Sequence, residues 1–89
     1  MARGTEAVKV IEGALTLGFS LSEAIQRALS GSLSSFAFGK PYSVQSVSMC
    51  LAFYEGRIYS QIREDLCAAL DLPREYLDRL IEKKKEQVA

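Results

Sequence analysis

The apolar residues of this 89-residue chain recur every three to four positions, in segments that glycine or proline cuts off before any becomes long. Ala7, Val8, Ile11, Ala14 and Leu15, widened by Val10 and Leu17, form the face of an amphipathic helix over Thr5 to Leu17, and Gly18 ends it. Ser20 with Glu23 is a capping box: the hydroxyl accepts the Glu23 N–H while the carboxylate reaches back to the Ser20 N–H. It opens a second helix with Ile25, Ala28 and Leu29 inward and Gly31 at its end. Ser43 caps a third, whose inner face is Val44, Val47, Leu51 and Tyr54 with Cys50 alongside, and Gly56 ends that one.

Ser60 is the cap expected for a fourth helix, which carries Ile62, Leu66, Ala69 and Leu70 and closes at Asp71-Leu72-Pro73, where proline breaks the hydrogen-bond ladder. A fifth runs from Pro73 to Lys84 with Tyr76, Leu77, Leu80 and Ile81 inward. Its early acids, Glu75 and Asp78, and late bases, Lys83 to Lys85, suit the helix dipole. No segment alternates as a strand does. The fold class is therefore all-α, a compact bundle of about five short helices. The segment Ser30 to Pro41 is the exception: its Ser and Gly content reads as a connector, yet Leu33, Phe36 and Phe38 need burial, so it is expected to pack on the core with at most one helical turn.

An apolar share of 48% with 25% charged residues supports one packed domain over residues 1–89, with the basic residues 83–89 expected as a mobile tail. The longest apolar run, Met49 to Tyr54, is far short of a membrane span, and the N-terminus has no apolar signal core. Cys50 and Cys67 lie in the helical pattern as small core residues, which reads as a reducing, cytoplasmic setting. The absence of histidine removes the commonest general base and metal ligand. With no Gly-rich phosphate loop either, the sequence reads as a non-enzyme without cofactor, metal or small-molecule substrate.

Formal net charge is zero, but its distribution is uneven. Residues 39–63 carry Lys40, Arg57 and Arg63 against Glu55, whereas residues 64–82 carry Glu64, Asp65, Asp71, Glu75, Asp78 and Glu82 against Arg74 and Arg79. The third helix thus sits in the mildly basic part.

The run Ser43-Val44-Gln45-Ser46-Val47-Ser48-x-x-Leu51, followed by Ile62-Arg63-x-x-Leu66-x-x-Ala69-Leu70-Asp71-Leu72-Pro73-x-Glu75-x-Leu77, resembles the lambda-repressor-like helix-turn-helix family. That family includes phage repressors and the Ner-type regulators of transposing phages. The resemblance implies a scaffold helix, a turn and a recognition helix over residues 43–55. Two departures stand out. Eleven residues separate Gly31 from Ser43, so either Ser32 to Tyr42 is an inserted turn, or Ser32 to Phe38 is the scaffold helix and Gly39-Lys40-Pro41 the turn. Position 71 is Asp where the family often has Gly.

What the resemblance implies chemically is a small sequence-specific regulator, of transcription or mobile-element type, that binds double-stranded DNA; because a monomer of this size offers few contacts, a homodimer is expected. Gln45, Ser46 and Met49 would face base edges in the major groove, with Gln pairing to adenine. Lys40, Arg57 and Arg63 would meet phosphates, and Ser43 would cap the helix and offer a hydroxyl or amide to another. Gln45 and Ser46 equally suit a plain solvated helix face. The competing reading is a helical module that binds another protein through Leu33, Phe36, Phe38 and Phe53.

Overall fold

Three serines set where the early helices begin. Ser20, Ser32 and Ser43 have extended backbone, and each hydroxyl accepts the N–H three residues on, from Glu23 at 3.2 Å, Ser35 at 3.1 Å and Ser46 at 3.2 Å. Such a cap is worth about 1 kcal/mol and matters most where a helix is too short to carry its own nucleation cost. The computed structural model describes residues 2–52 and 55–88, of which 84–88 as backbone only. Among these are six helices and no strand: α1 (Thr5–Thr16), α2 (Leu21–Leu29), α3 (Leu33–Ala37), α4 (Val44–Cys50), α5 (Arg57–Leu70) and α6 (Arg74–Val88).

The apolar stripes meet in one core. Ile11 of α1, Ile25 of α2, Val47 and Cys50 of α4 with Leu51, Ile62, Leu66 and Leu70 of α5, and Leu77 and Ile81 of α6 are all buried. Each large aliphatic among them contributes about 1.5–3 kcal/mol by leaving water. α1 packs on α2, α3 on α4, α4 on α5 and α5 on α6, while α2 also touches α5 and α6. Both thiols are buried, Cys50 donating to the Tyr59 carbonyl at 3.5 Å and Cys67 to the Pro73 carbonyl at 3.8 Å.

Three helices end alike. After α1 the Phe19 N–H reaches the Ala14 carbonyl and the Gly18 N–H that of Leu15. The Gly31 and Ser30 N–H groups repeat this on Gln26 and Arg27 after α2, and the Leu72 N–H bonds the Cys67 carbonyl after α5. In this motif the residue just past the helix turns left-handed. Gly18 does so at φ +93°, but Ser30 and Asp71 do it at +57° and +54°. Gly31 is thus not the left-handed terminator of α2; its neighbour is. Asp71 occupies a backbone conformation that glycine favours and that Asp tolerates better than most residues. The N-terminal segment stitches two of these ends: the Ala2 N–H donates to the Ala28 carbonyl at 2.9 Å and the Gly4 N–H to the Leu70 carbonyl at 2.7 Å.

Several boundaries differ from expectation. The fourth expected helix begins four residues early, at Arg57, because Gly56 opens α5 instead of closing α4. Ser60 is no cap: its own N–H already bonds the Gly56 carbonyl at 2.9 Å, and its hydroxyl accepts from Arg74. α4 ends at Cys50, Val44 faces solvent rather than the core, and Leu17 is 77% exposed although its spacing fits the α1 stripe. Tyr54 and Phe53 lie outside the described residues. α6 continues to Val88, past the expected end at Lys84.

Relieving the left-handed strain tests this account. Ser30→Gly is expected to stabilise the fold by about 0.5–1 kcal/mol, since a β-carbon is penalised there, and to raise Tm by several degrees in a calorimetric scan. Asp71→Gly should gain less, because Asp tolerates this conformation better than most residues.

Alkaline pH should act through the buried groups. Burial pushes the Cys67 thiol up to about 11 from its ordinary 9, and burial with the Glu12 carboxylate pushes the Tyr76 hydroxyl up to about 12 from 10. Folded pKa values above the unfolded ones mean stability that is fully present below pH 9 and is lost as pH rises through those values. Circular dichroism followed upward from pH 8 should show weakening from about pH 9 and no corresponding change on the neutral side.

Candidate nucleic-acid interface

The connector resolves into a helix and a tight turn. Ala37 to Lys40 close a β-turn in which the Lys40 N–H reaches the Ala37 carbonyl at 3.0 Å, with Phe38 at φ −58°, ψ 126° and Gly39 at φ +79°. These are type II values, and the third position of such a turn demands the positive φ that glycine supplies. α3 therefore packs against α4 across residues 38–43, so of the two arrangements the sequence allowed, the short helix beginning after Ser32 lies beside α4, while the turn falls at Ala37 to Lys40 and Pro41 follows it.

The turn is tied down at its far end. Tyr42 is buried, and its hydroxyl donates to the Asp65 carboxylate of α5 at 2.6 Å, while Gln61 donates to the other Asp65 oxygen at 3.0 Å. Desolvation and the Asp65 charge together raise the Tyr42 hydroxyl above the ordinary tyrosine range, so it stays a donor at all moderate pH. Sequence reasoning passed over Tyr42; an aromatic between a proline and a cap serine was the available signal.

α4 is held on one side and open on the other. Val47 and Cys50, with Leu51 beyond, anchor it, and Ser43, Val44, Gln45 and Ser48 face solvent. The Ser43 and Ser46 hydroxyls lie 3.2 Å apart, so Ser46 is half-buried against the cap. Lys40 is exposed with its ammonium 5.4 Å from the centre of the Phe36 ring. Lys40, Ser43, Gln45 and Ser46 thus sit together on the turn and first turn of α4. Met49 leans the other way, half-buried, with its sulfur 4.0 Å from the Tyr59 hydroxyl. Arg57 is exposed at the opening of α5.

Arg63 is placed differently from the other expected phosphate contacts. Its side chain is only 13% exposed and pairs with Asp78 of α6 at 3.0 Å. Arg74 joins the same carboxylate at 3.1 Å, reaches Glu64 at 3.5 Å and donates to the Ser60 hydroxyl at 3.1 Å. These four charges balance and lock α5 to α6, leaving the Arg63 Nε buried without a partner.

The apolar patch expected on the connector does not form as one surface. Leu33 and Ala37 are buried, Phe36 is half-buried, and Phe38 alone points outward, 89% exposed at the second position of the turn. The reason is local: α3 turns Leu33 and Ala37 to one side, and the type II turn swings the next residue away from it. Among the described residues no His, Cys, Asp or Glu cluster suited to a metal is present, and no helix is long and apolar enough to cross a membrane. Comparison with protein-family models, curated proteins and solved structures returns no match.

Two substitutions probe the scaffold. Asp78→Ala is expected to cost about 1–2 kcal/mol in denaturant unfolding, because Arg63 keeps its burial and loses its counter-charge, moderated by the partial exposure of Asp78. Tyr42→Phe should cost about 1 kcal/mol and raise amide hydrogen exchange locally over residues 38–43.

Proposed function

We propose that the chain is a small DNA-binding regulator that lays the exposed side of α4 into the major groove and acts as a homodimer, without catalysis of its own. The observation that carries this reading is the state of α4: fixed by Val47, Cys50 and Leu51 against α3 and α5, with its polar opening turn left in water beside Lys40. A helix held on its inner side with polar residues at its outer N-terminal end is what a helix-turn-helix presents to base edges. Gln45 is the residue suited to a bidentate contact with adenine, and Ser43 and Ser46 supply hydroxyls of either hydrogen-bonding sense. Lys40 and Arg57 are the exposed cations suited to phosphates. Arg63 supports them by holding α5 in place, and Met49 by packing α4 against Tyr59 of α5. Two copies are invoked because so short a reading surface offers few contacts to a single half-site.

A second reading is favoured by Phe38, whose exposure suits an anchor for another protein. On that reading the turn, not α4, is the contact surface.

Fluorescence anisotropy with a pool of mixed-sequence duplexes separates the two. DNA binding predicts association at low salt that weakens steeply with added salt, and loss of about one unit of log–log salt slope for each of Lys40→Ala and Arg57→Ala. Gln45→Ala should leave this non-specific binding intact and reduce enrichment of a selected sequence. Absence of association at the lowest salt rules the reading out.

A further inference from the structure

α4 carries two valines three residues apart, and the core uses only one of them. Val47 is fully buried beside Cys50 and Leu51, whereas Val44, the first residue of the helix, is 41% exposed. Among the described residues, neither the core nor the partly buried side chains packed on it include Val44. Each helical residue is turned about 100° from the last, so Ser48, one turn on, shares the Val44 side, and Gln45 points outward next to both. All three are exposed. A β-branched residue gives up side-chain freedom in a helix, and here no burial offsets that loss. In a helix of seven residues, alanine would serve better.

The charge around this face has one sign. No Asp or Glu occurs between Glu23 and Glu55, a stretch that contains all of α3 and α4, while Lys40 stands exposed on the turn before α4 and Arg57 at the opening of α5. Cations at both ends of a polar helix face suit a polyanion, and an apolar side chain within that face suits one that carries an apolar group. In the major groove of DNA that group is the C5 methyl of thymine. We propose that Val44 is a specificity-determining residue that contacts a thymine methyl, so that the preferred duplex sets a thymine beside the adenine bonded by Gln45. The two residues are consecutive, so both bases belong to one base pair or to neighbouring ones. The inference rests on the DNA part of the reading above and is independent of its homodimeric part.

Removing the methyl alone tests it. Duplexes enriched from a random pool by binding to the full chain are resynthesised with deoxyuridine in place of thymidine, which keeps the pairing edge and deletes only the C5 methyl. The expected result is that the chain binds the uracil duplex about three- to tenfold more weakly than the thymine duplex. Val44→Ala should bind the thymine duplex more weakly by a similar factor and no longer distinguish the two, with circular dichroism unchanged. Comparing both proteins on both duplexes isolates the Val44 contact from any change in the duplex itself. Gln45→Ala should stay sensitive to uracil. Equal affinity of the unaltered chain for the two duplexes, or a Val44→Ala variant that still discriminates them, overturns the proposal and leaves DNA binding standing. Enrichment that selects no sequence overturns it in favour of non-specific binding. Absence of any association with the pool overturns this inference together with the DNA reading beneath it.

Discussion

Among the described residues no helix is longer than 15 residues and two have seven or fewer, below or at the length at which an isolated helix persists in water. Every element therefore owes its shape to the shared aliphatic core. α5 is the member on which that core converges: it contacts α2, α4 and α6, and buries Ile62, Leu66 and Leu70. The turn that presents α4 is secured to the same helix through Asp65, and α6 is secured to it through Arg63 and Asp78. Displacing α5 would disturb the exposed face of α4 and the packing of α6 at once.

The candidate surface inherits its order from this arrangement rather than from α4 itself. A seven-residue helix with one serine cap has little stability of its own. Burial of Val47, Cys50 and Leu51 below and the Tyr42 tether at its entrance keep Ser43 and Gln45 in a defined place. A binding surface preorganised in this way avoids part of the ordering cost on association.

Much of the fold was readable from periodicity. The buried faces of α1, α2, α5 and α6 follow the three-to-four spacing, and the capping serines at 20 and 43 stand where their sequence context put them. What escaped has physical causes. A glycine between two helical patterns can close one or open the next, and Gly56 opens α5 because the fold ends α4 at Cys50. A serine inside a helix looks like a cap until its partner is known; for Ser60 that partner is Arg74, fourteen residues away. Arg63 looked like a free cation for the same reason, since Asp78 lies on the following helix. Phe38 was expected inside because it is large and apolar, yet the turn angle, not hydrophobicity, decides its direction. Gln45 and Lys40 were legible as exposed polar groups; what they touch is a property of a partner and is not encoded in spacing.

The stitch at the N-terminus links two helix ends that are more than forty residues apart in the chain. Ala2 and Gly4 donate to carbonyls at the C-terminal ends of α2 and α5, groups that a lone helix would leave to solvent. Helix ends ordinarily fray independently of one another. Here a single short segment closes both, so opening at either end loosens the clamp on the other, and the ends of α2 and α5 breathe as one cooperative unit.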